Sequence, residues 1–131
     1  MGGIDMNTIN NYAAPILRQN FPNGHKDFIS LCLEEMALHS AKNADYARGG
    51  DPLGNFKRVS EMLSLWGISC PPYTVALIYL MKQMDAVGRM FGQDYEGDVE
   101  GVEDRLRDIS IYSKLAQILY KESRVDYSRI T

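Results

Sequence analysis

Apolar residues recur at three- and four-residue steps through most of the chain, and no strand signal interrupts them. From Lys26 to about Ala47, Phe28, Ile29, Cys32, Leu33 and Met36 keep the helical step, until GGDPLG at 49–54 breaks it. A second helix is expected from Pro52 or Leu53 to Trp66, with Phe56, Val59, Met62, Leu63 and Trp66 on one face. Gly67 closes it, and ISCPP is a linker. Pro72 and Thr74 suit the start of a third helix, YTVALIYLMKQMDAVGRMF. That helix is apolar nearly all round between Val75 and Met81, as the central helix of a bundle would be. FGQDYEGDVEG reads as a loop, a fourth helix follows from about Val99 to Glu122, and RVDYSRIT reads as a frayed tail. Residues 1–25 are polar, carry Pro15, Pro22 and an Asn-Gly pair, and predict an arm with one short helix near Ala13 to Gln19. The expected fold is all-α: a compact four-helix bundle core over 26–123, an amino-terminal arm over 1–25 and a carboxy-terminal tail over 124–131.

Composition narrows the functional classes. A chain of 131 residues makes one domain with a core of its own. A formal charge of −3 and a pI near 5.3 argue against a protein built to grip extended nucleic acid. Cys32 and Cys70 are too few for a disulfide scaffold and lack metal-ligand spacing; Cys32, inside a helical pattern, reads as a small buried thiol. There is no run of 18 apolar residues and no signal-peptide layout, so a cytoplasmic protein without a membrane partner is expected. MGGIDM lacks the Ser or Thr at position 6 that myristoylation requires.

Ionisable residues interrupt the apolar faces. In GVEDRLRDISIYSKLAQILY, Leu115 marks the centre of the apolar stripe, and Asp104 and Asp108 project within roughly 30° of it at about 100° per residue. Glu103 and Arg107 fall on the opposite side. Burying an unpaired carboxylate costs several kcal/mol, so both aspartates require a metal, a cation or a proton. On the first core helix Glu35, His39, Lys42 and Tyr46 form one line bordering the apolar face, and the third helix adds Lys82 beside Asp85 and Arg89. Carboxylates from facing helices are a common way to build a metal site in a bundle, and oxygen-rich sets suit Mg²⁺ or Mn²⁺. Lys42 and Lys82 would then neutralise phosphate charge. The plainer readings are an ionic network of Asp104 and Asp108 with Lys82 or Lys42, and a hydrogen-bonded boundary role for His39. Glu34 is expected to face solvent and Met81, Met84 and Met90 to fill the core. Asp45 would lie in the last turn of its helix, and Asn55 would cap the second core helix.

KNADYARGGDPLGNFKRVSEMLSLWG, TVALIYLMKQMDAV and VEDRLRDISIYSKLA together resemble a family of small phage and prophage proteins of unassigned function. The shared pattern is a basic residue followed by Asp-Tyr and Asn-Phe, an apolar helix carrying a Lys, and a final Asp-x-x-x-Asp-Ile-x-x-Tyr helix. It falls on Lys42, Asp45, Tyr46, Asn55, Phe56, Lys82, Asp104, Asp108, Ile109 and Tyr112, and spans roughly residues 30 to 120. That family is in turn distantly similar to the MazG-like all-α nucleoside triphosphate pyrophosphohydrolases. The resemblance implies Mg²⁺ held by acidic residues on two helices, release of a nucleoside monophosphate and pyrophosphate, and assembly as a homodimer or higher homo-oligomer. It departs from the superfamily at two places. Glu34-Glu35 followed by His39 replaces Glu-x-x-Glu, and Arg105 stands where the Glu of Glu-x-x-Asp would fall, so that only Asp108 aligns.

The leading expectation is therefore a phage-related, Mg²⁺-dependent nucleotide pyrophosphohydrolase or a hydrolase of modified nucleotides. Glu35, Asp104 and Asp108 would hold metal and carry catalysis, with His39 as a further candidate ligand. Lys42, Asp45, Tyr46, Asn55 and Lys82 would meet the nucleotide. The alternatives are a nucleotide-binding protein without turnover, and a helical interaction module with a buried ionic network. Broad apolar arcs on the first and third core helices add a physical reason to expect a dimer.

Overall fold

The structure, a computed structural model, describes residues 5–130, and side-chain surroundings for 5–125. The terminal residues of the predicted arm (1–4) and tail (131) lie outside the described residues. All elements among the described residues are helical: α1 (Met6–Thr8), a π-helical turn (Ile9–Ala13), α2 (Ala14–Asn20), α3 (Lys26–Tyr46), α4 (Gly54–Leu65), α5 (Pro72–Gln93) and α6 (Val102–Ile130). The all-α expectation holds, and each of the four predicted core helices is present. No described helix is long and apolar enough to cross a membrane. The chain divides into two compact units, Met1–Pro52 and Leu53–Thr131.

In the first unit the segment expected to be an arm is continuously helical from Met6 to Asn20. Asp5 starts it, its Oδ1 accepting from the Asn7 N–H at 3.1 Å. Pro15 does not break the helix. It lacks an N–H and its ring crowds the carbonyl one turn back, and the chain widens into a π turn just before it, with the Ala14 N–H donating to the Ile9 carbonyl. His25 then caps α3, its Nδ1 accepting from the Asp27 N–H at 3.0 Å. Ile9, Ala14 and Leu33 form the buried centre of this unit, flanked by Leu17, Ile29 and Ala37.

In the second unit α4, α5 and α6 enclose Leu53, Phe56, Val75, Ala76, Leu115 and Leu119. The Phe56 ring meets Tyr79 (5.6 Å between centroids) and, edge-on, Tyr112 (6.3 Å), joining all three helices through one aromatic cluster. Gly67 ends α4 as expected, in a left-handed conformation (φ +78°) with the Ile68 N–H reaching back to the Leu63 carbonyl. Asn55 does not cap α4: the cap position is Leu53, with no side-chain hydrogen bond, and Asn55 lies exposed within the first turn. α6 starts at Val102 rather than Val99 and runs to Ile130, past the frayed tail expected from Arg124 onward. No Gly or Pro follows Gly101, so nothing in the sequence stops the helix.

The α5–α6 connection is tight at Gly97. Its φ is +92°, and a Cβ there would lie 2.5 Å from the Glu100 carbonyl oxygen and 2.7 Å from Met90 Cε. Gly67 also has positive φ but open space around it. Gly67→Ala is expected to cost about 1 kcal/mol. Gly97→Ala should cost roughly 2–3 kcal/mol, because a backbone clash adds to the strained φ. Thermal unfolding of the two variants side by side checks the order.

Candidate functional site

α5 carries Ala76, Gln83 and Met90 seven residues apart, hence on one face, and Ala76 and Met90 are buried. Gln83 is the polar member of that row, and it meets α6. Its Nε2 donates to Asp108 Oδ2 at 3.1 Å, and its Oε1 accepts from Arg105 Nη1 at 2.8 Å. Arg105 also lies 3.6 Å from Glu100 Oε2. Asp108, only 9% exposed, is the one charged residue in the buried class among the described residues. A carboxylate at that depth is tolerated because the amide of Gln83 donates to it, and the guanidinium fixes the amide's orientation.

Asp104 has a different position. It is half-buried, its Oδ2 accepts from the Gly101 N–H at 3.1 Å, and its Oδ1 accepts from Arg107 Nη2 at 2.9 Å. Glu96 Oε2 accepts from the Val102 N–H at 3.3 Å. Two carboxylates thus satisfy the first N–H groups of α6 and complement its dipole. Arg107, expected on the solvent side, is half-buried instead, drawn in by Asp104. The Nε atoms of both Arg105 and Arg107 are buried without a hydrogen-bond partner, so both guanidiniums retain unmet donor capacity.

Lys82 does not join this network. It is exposed on the outer face of α5, as are Asp85 and Arg89, so the expectation that this helix aims them inward is overturned. Met81 and Met84 are exposed too, and only Met90 fills the core. The physical reason is that α4 and α6 both pack on the side of α5 that carries Ala76, Tyr79, Gln83 and Val87. The densest apolar run does not decide which face is covered.

In the first unit, Glu35 and His39 are half-buried on α3, while Lys42, Asp45 and Tyr46 are exposed toward its carboxy-terminal end and Glu34 faces solvent. Asn43 Nδ2 donates to the His39 carbonyl at 3.0 Å and lies 2.9 Å from His39 Nδ1, a contact that suits the tautomer with Nδ1 unprotonated. Phe28, expected beside the apolar face, is exposed, and Cys32 is half-buried.

No protein-family model, curated protein or solved structure matches the chain. The chemistry must therefore be argued from the residues themselves. Among the described residues no group of three or more His, Cys, Asp or Glu side chains could hold a metal ion. The second unit offers one buried carboxylate, one half-buried carboxylate and two guanidiniums. With Glu96 and Glu100 beside them the carboxylates outnumber the guanidiniums, so a negatively charged ligand would have to bring a cation of its own. Gln83 was not singled out from the sequence, Arg105 was read only as a departure from the superfamily motif, and Arg107 only as a residue on the side away from the apolar stripe. The row Ala76–Gln83–Met90 held the signal for Gln83.

Proposed function

We propose that this chain handles a nucleotide or a nucleotide-like phosphate, as a Mg²⁺-dependent pyrophosphohydrolase or modified-nucleotide hydrolase of the MazG-like kind. The observation that carries the reading is Asp108, a buried carboxylate oriented by Gln83 and Arg105, at the one acidic position that aligns with the superfamily motif. A divalent ion fits these residues when phosphate oxygens complete its shell, since Mg²⁺ is commonly bound by one or two carboxylates plus substrate phosphates. Asp108 and Asp104 would hold it here. The ion, when bound, polarises a phosphoryl oxygen and lowers the pKa of a water. Within the chain, Gln83 holds Asp108 in one orientation, and Arg105 and Arg107 offset phosphate charge. Asn55, exposed in the first turn of α4, is the candidate within this unit for the remainder of the nucleotide. Lys82, on the outer face of α5, is left out of this assignment.

A second reading has its own support. Both oxygens of Asp104 are engaged, with Gly101 and with Arg107, which leaves less acidic capacity for a preformed metal centre. On that reading the protein retains a nucleotide without cleaving it.

Thermal unfolding against a nucleotide panel with Mg²⁺, Mn²⁺ or EDTA tests the proposal. A ligand at a hundredfold excess over its Kd should raise the Tm by on the order of 10 °C. Loss of that shift in EDTA assigns the metal. Release of monophosphate and pyrophosphate identifies the hydrolase, and a shift without product identifies the binder. No shift with any nucleotide overturns both.

A further inference from the structure

Asn23 and Gly24 stand together in the turn that joins α2 to α3, and both are exposed. The other asparagines, at 7, 10, 11, 20, 43 and 55, lie in helical segments, and none of them precedes a glycine. The contrast is chemical. An asparagine side chain is attacked by the backbone nitrogen of the next residue only where the chain can bring that nitrogen onto Cγ. Helical dihedrals hold the two atoms apart, and a side chain on the next residue crowds the approach. At Gly24 there is room, since even a Cβ built there would meet nothing within 4 Å. Its φ is not left-handed, so the turn itself makes no demand for glycine.

We propose that Asn23 is a site of self-modification, converting in the folded protein to aspartate and isoaspartate with water as the only co-reactant. The Gly24 nitrogen gives its proton to water or hydroxide and attacks Asn23 Cγ. The bond from Cγ to the side-chain nitrogen then breaks, and ammonia leaves with a proton from solvent. The resulting succinimide takes up water. Opening at Cγ gives aspartate, and opening at the main-chain carbonyl gives isoaspartate, in which the chain runs through Cβ and Cγ. Water is consumed, ammonia is released, and nothing is oxidised or reduced. Either product places a new carboxylate two residues before His25, the cap of α3, where the helix dipole favours an anion. The charge also appears at the cavity of about 580 Å³ that Asn23 lines together with Leu17, Phe28, Ile29 and Cys32. Isoaspartate in addition lengthens the short connection between α2 and α3, the helices that carry buried Ala14 and Leu33. The inference does not depend on the nucleotide reading.

The test is incubation of the full chain at neutral and alkaline pH, folded and in urea, followed by peptide mass spectrometry that separates aspartate from isoaspartate. Asn23→Gln and Gly24→Ala are treated in the same way. In the folded chain Asn23 is expected to take on the mass of the acid as both isomers, faster as the pH rises, at a rate comparable to that in urea. The helical asparagines should remain amides until the chain is unfolded. Asn23→Gln should abolish the conversion. Gly24→Ala should slow it severalfold at unchanged Tm, because a Cβ fits there without strain. An Asn23 that stays an amide in the folded chain overturns the proposal, whether or not it reacts in urea. Conversion without isoaspartate, or at the wild-type rate in Gly24→Ala, overturns it as well, since neither passes through attack by the Gly24 nitrogen.

Discussion

Replacing Phe56 with alanine should destabilise the folded chain by about 3–5 kcal/mol, the range for deleting a buried phenyl group. Phe56 is 3% exposed and sits where α4, α5 and α6 converge, its ring against Tyr79 and Tyr112. The substitution removes the apolar area and also strips both tyrosines of their aromatic neighbour, in a cluster whose walls belong to three helices and cannot collapse together. Trp66→Ala makes the control. Trp66 carries a larger side chain on the same predicted face of α4 but is 69% exposed, so its loss should cost under about 0.5 kcal/mol. Urea unfolding measures both. The midpoint for Phe56→Ala should fall sharply at unchanged m-value, and a loss below 1 kcal/mol would mean that the cluster is not the centre of this unit.

The contrast between Phe56 and Trp66 also marks how far the sequence could be read. Helix existence was legible because long periodic runs end at strong signals: GGDPLG after α3, Gly67 after α4, and Pro72 before α5. Which part of a face is covered was less legible, since periodicity orders residues around a helix without naming the neighbour that buries them. Phe56 and Trp66 share an arc, but α5 and α6 cover only the first. The same ambiguity placed Lys82 inward in expectation, whereas the structure turns Gln83 inward.

Asp104 illustrates another kind of miss. Its angular position was read as membership of the buried stripe, but a carboxylate three residues after a glycine at a helix start has capping-box spacing. Reading the local backbone demand before the helical wheel would have placed it at the cap. Around Pro15 the short helix expected near Ala13 to Gln19 is present as α2, but the turns before it were not read: a π turn carries the helix through the residues ahead of the proline, which no composition rule anticipates.

Asp108 carries the prediction with the most consequence, because two substitutions there separate structure from function. Asp108→Ala removes the acceptor for Gln83 Nε2 and leaves Gln83 and Arg105 partly buried around a void. It should cost about 1.5–3 kcal/mol, the range for a buried hydrogen bond to a charged group. Asp108→Asn keeps an oxygen where Gln83 donates, so its loss in urea unfolding should stay near 1 kcal/mol. If Asp108 serves a metal-bound nucleotide, the two variants must agree on ligand response despite their unequal stability. A neutral amide offers a divalent cation no charge, so both should lose the metal-dependent Tm shift of the wild type entirely. If Asp108→Asn instead keeps the full shift, the carboxylate charge is not used, and Asp108 is a structural acceptor that orders α5 against α6. The first outcome would make the buried position of Asp108 the cost of a binding site; the second would make Arg105 and Arg107, with their unmet Nε donors, the groups to examine for phosphate contact.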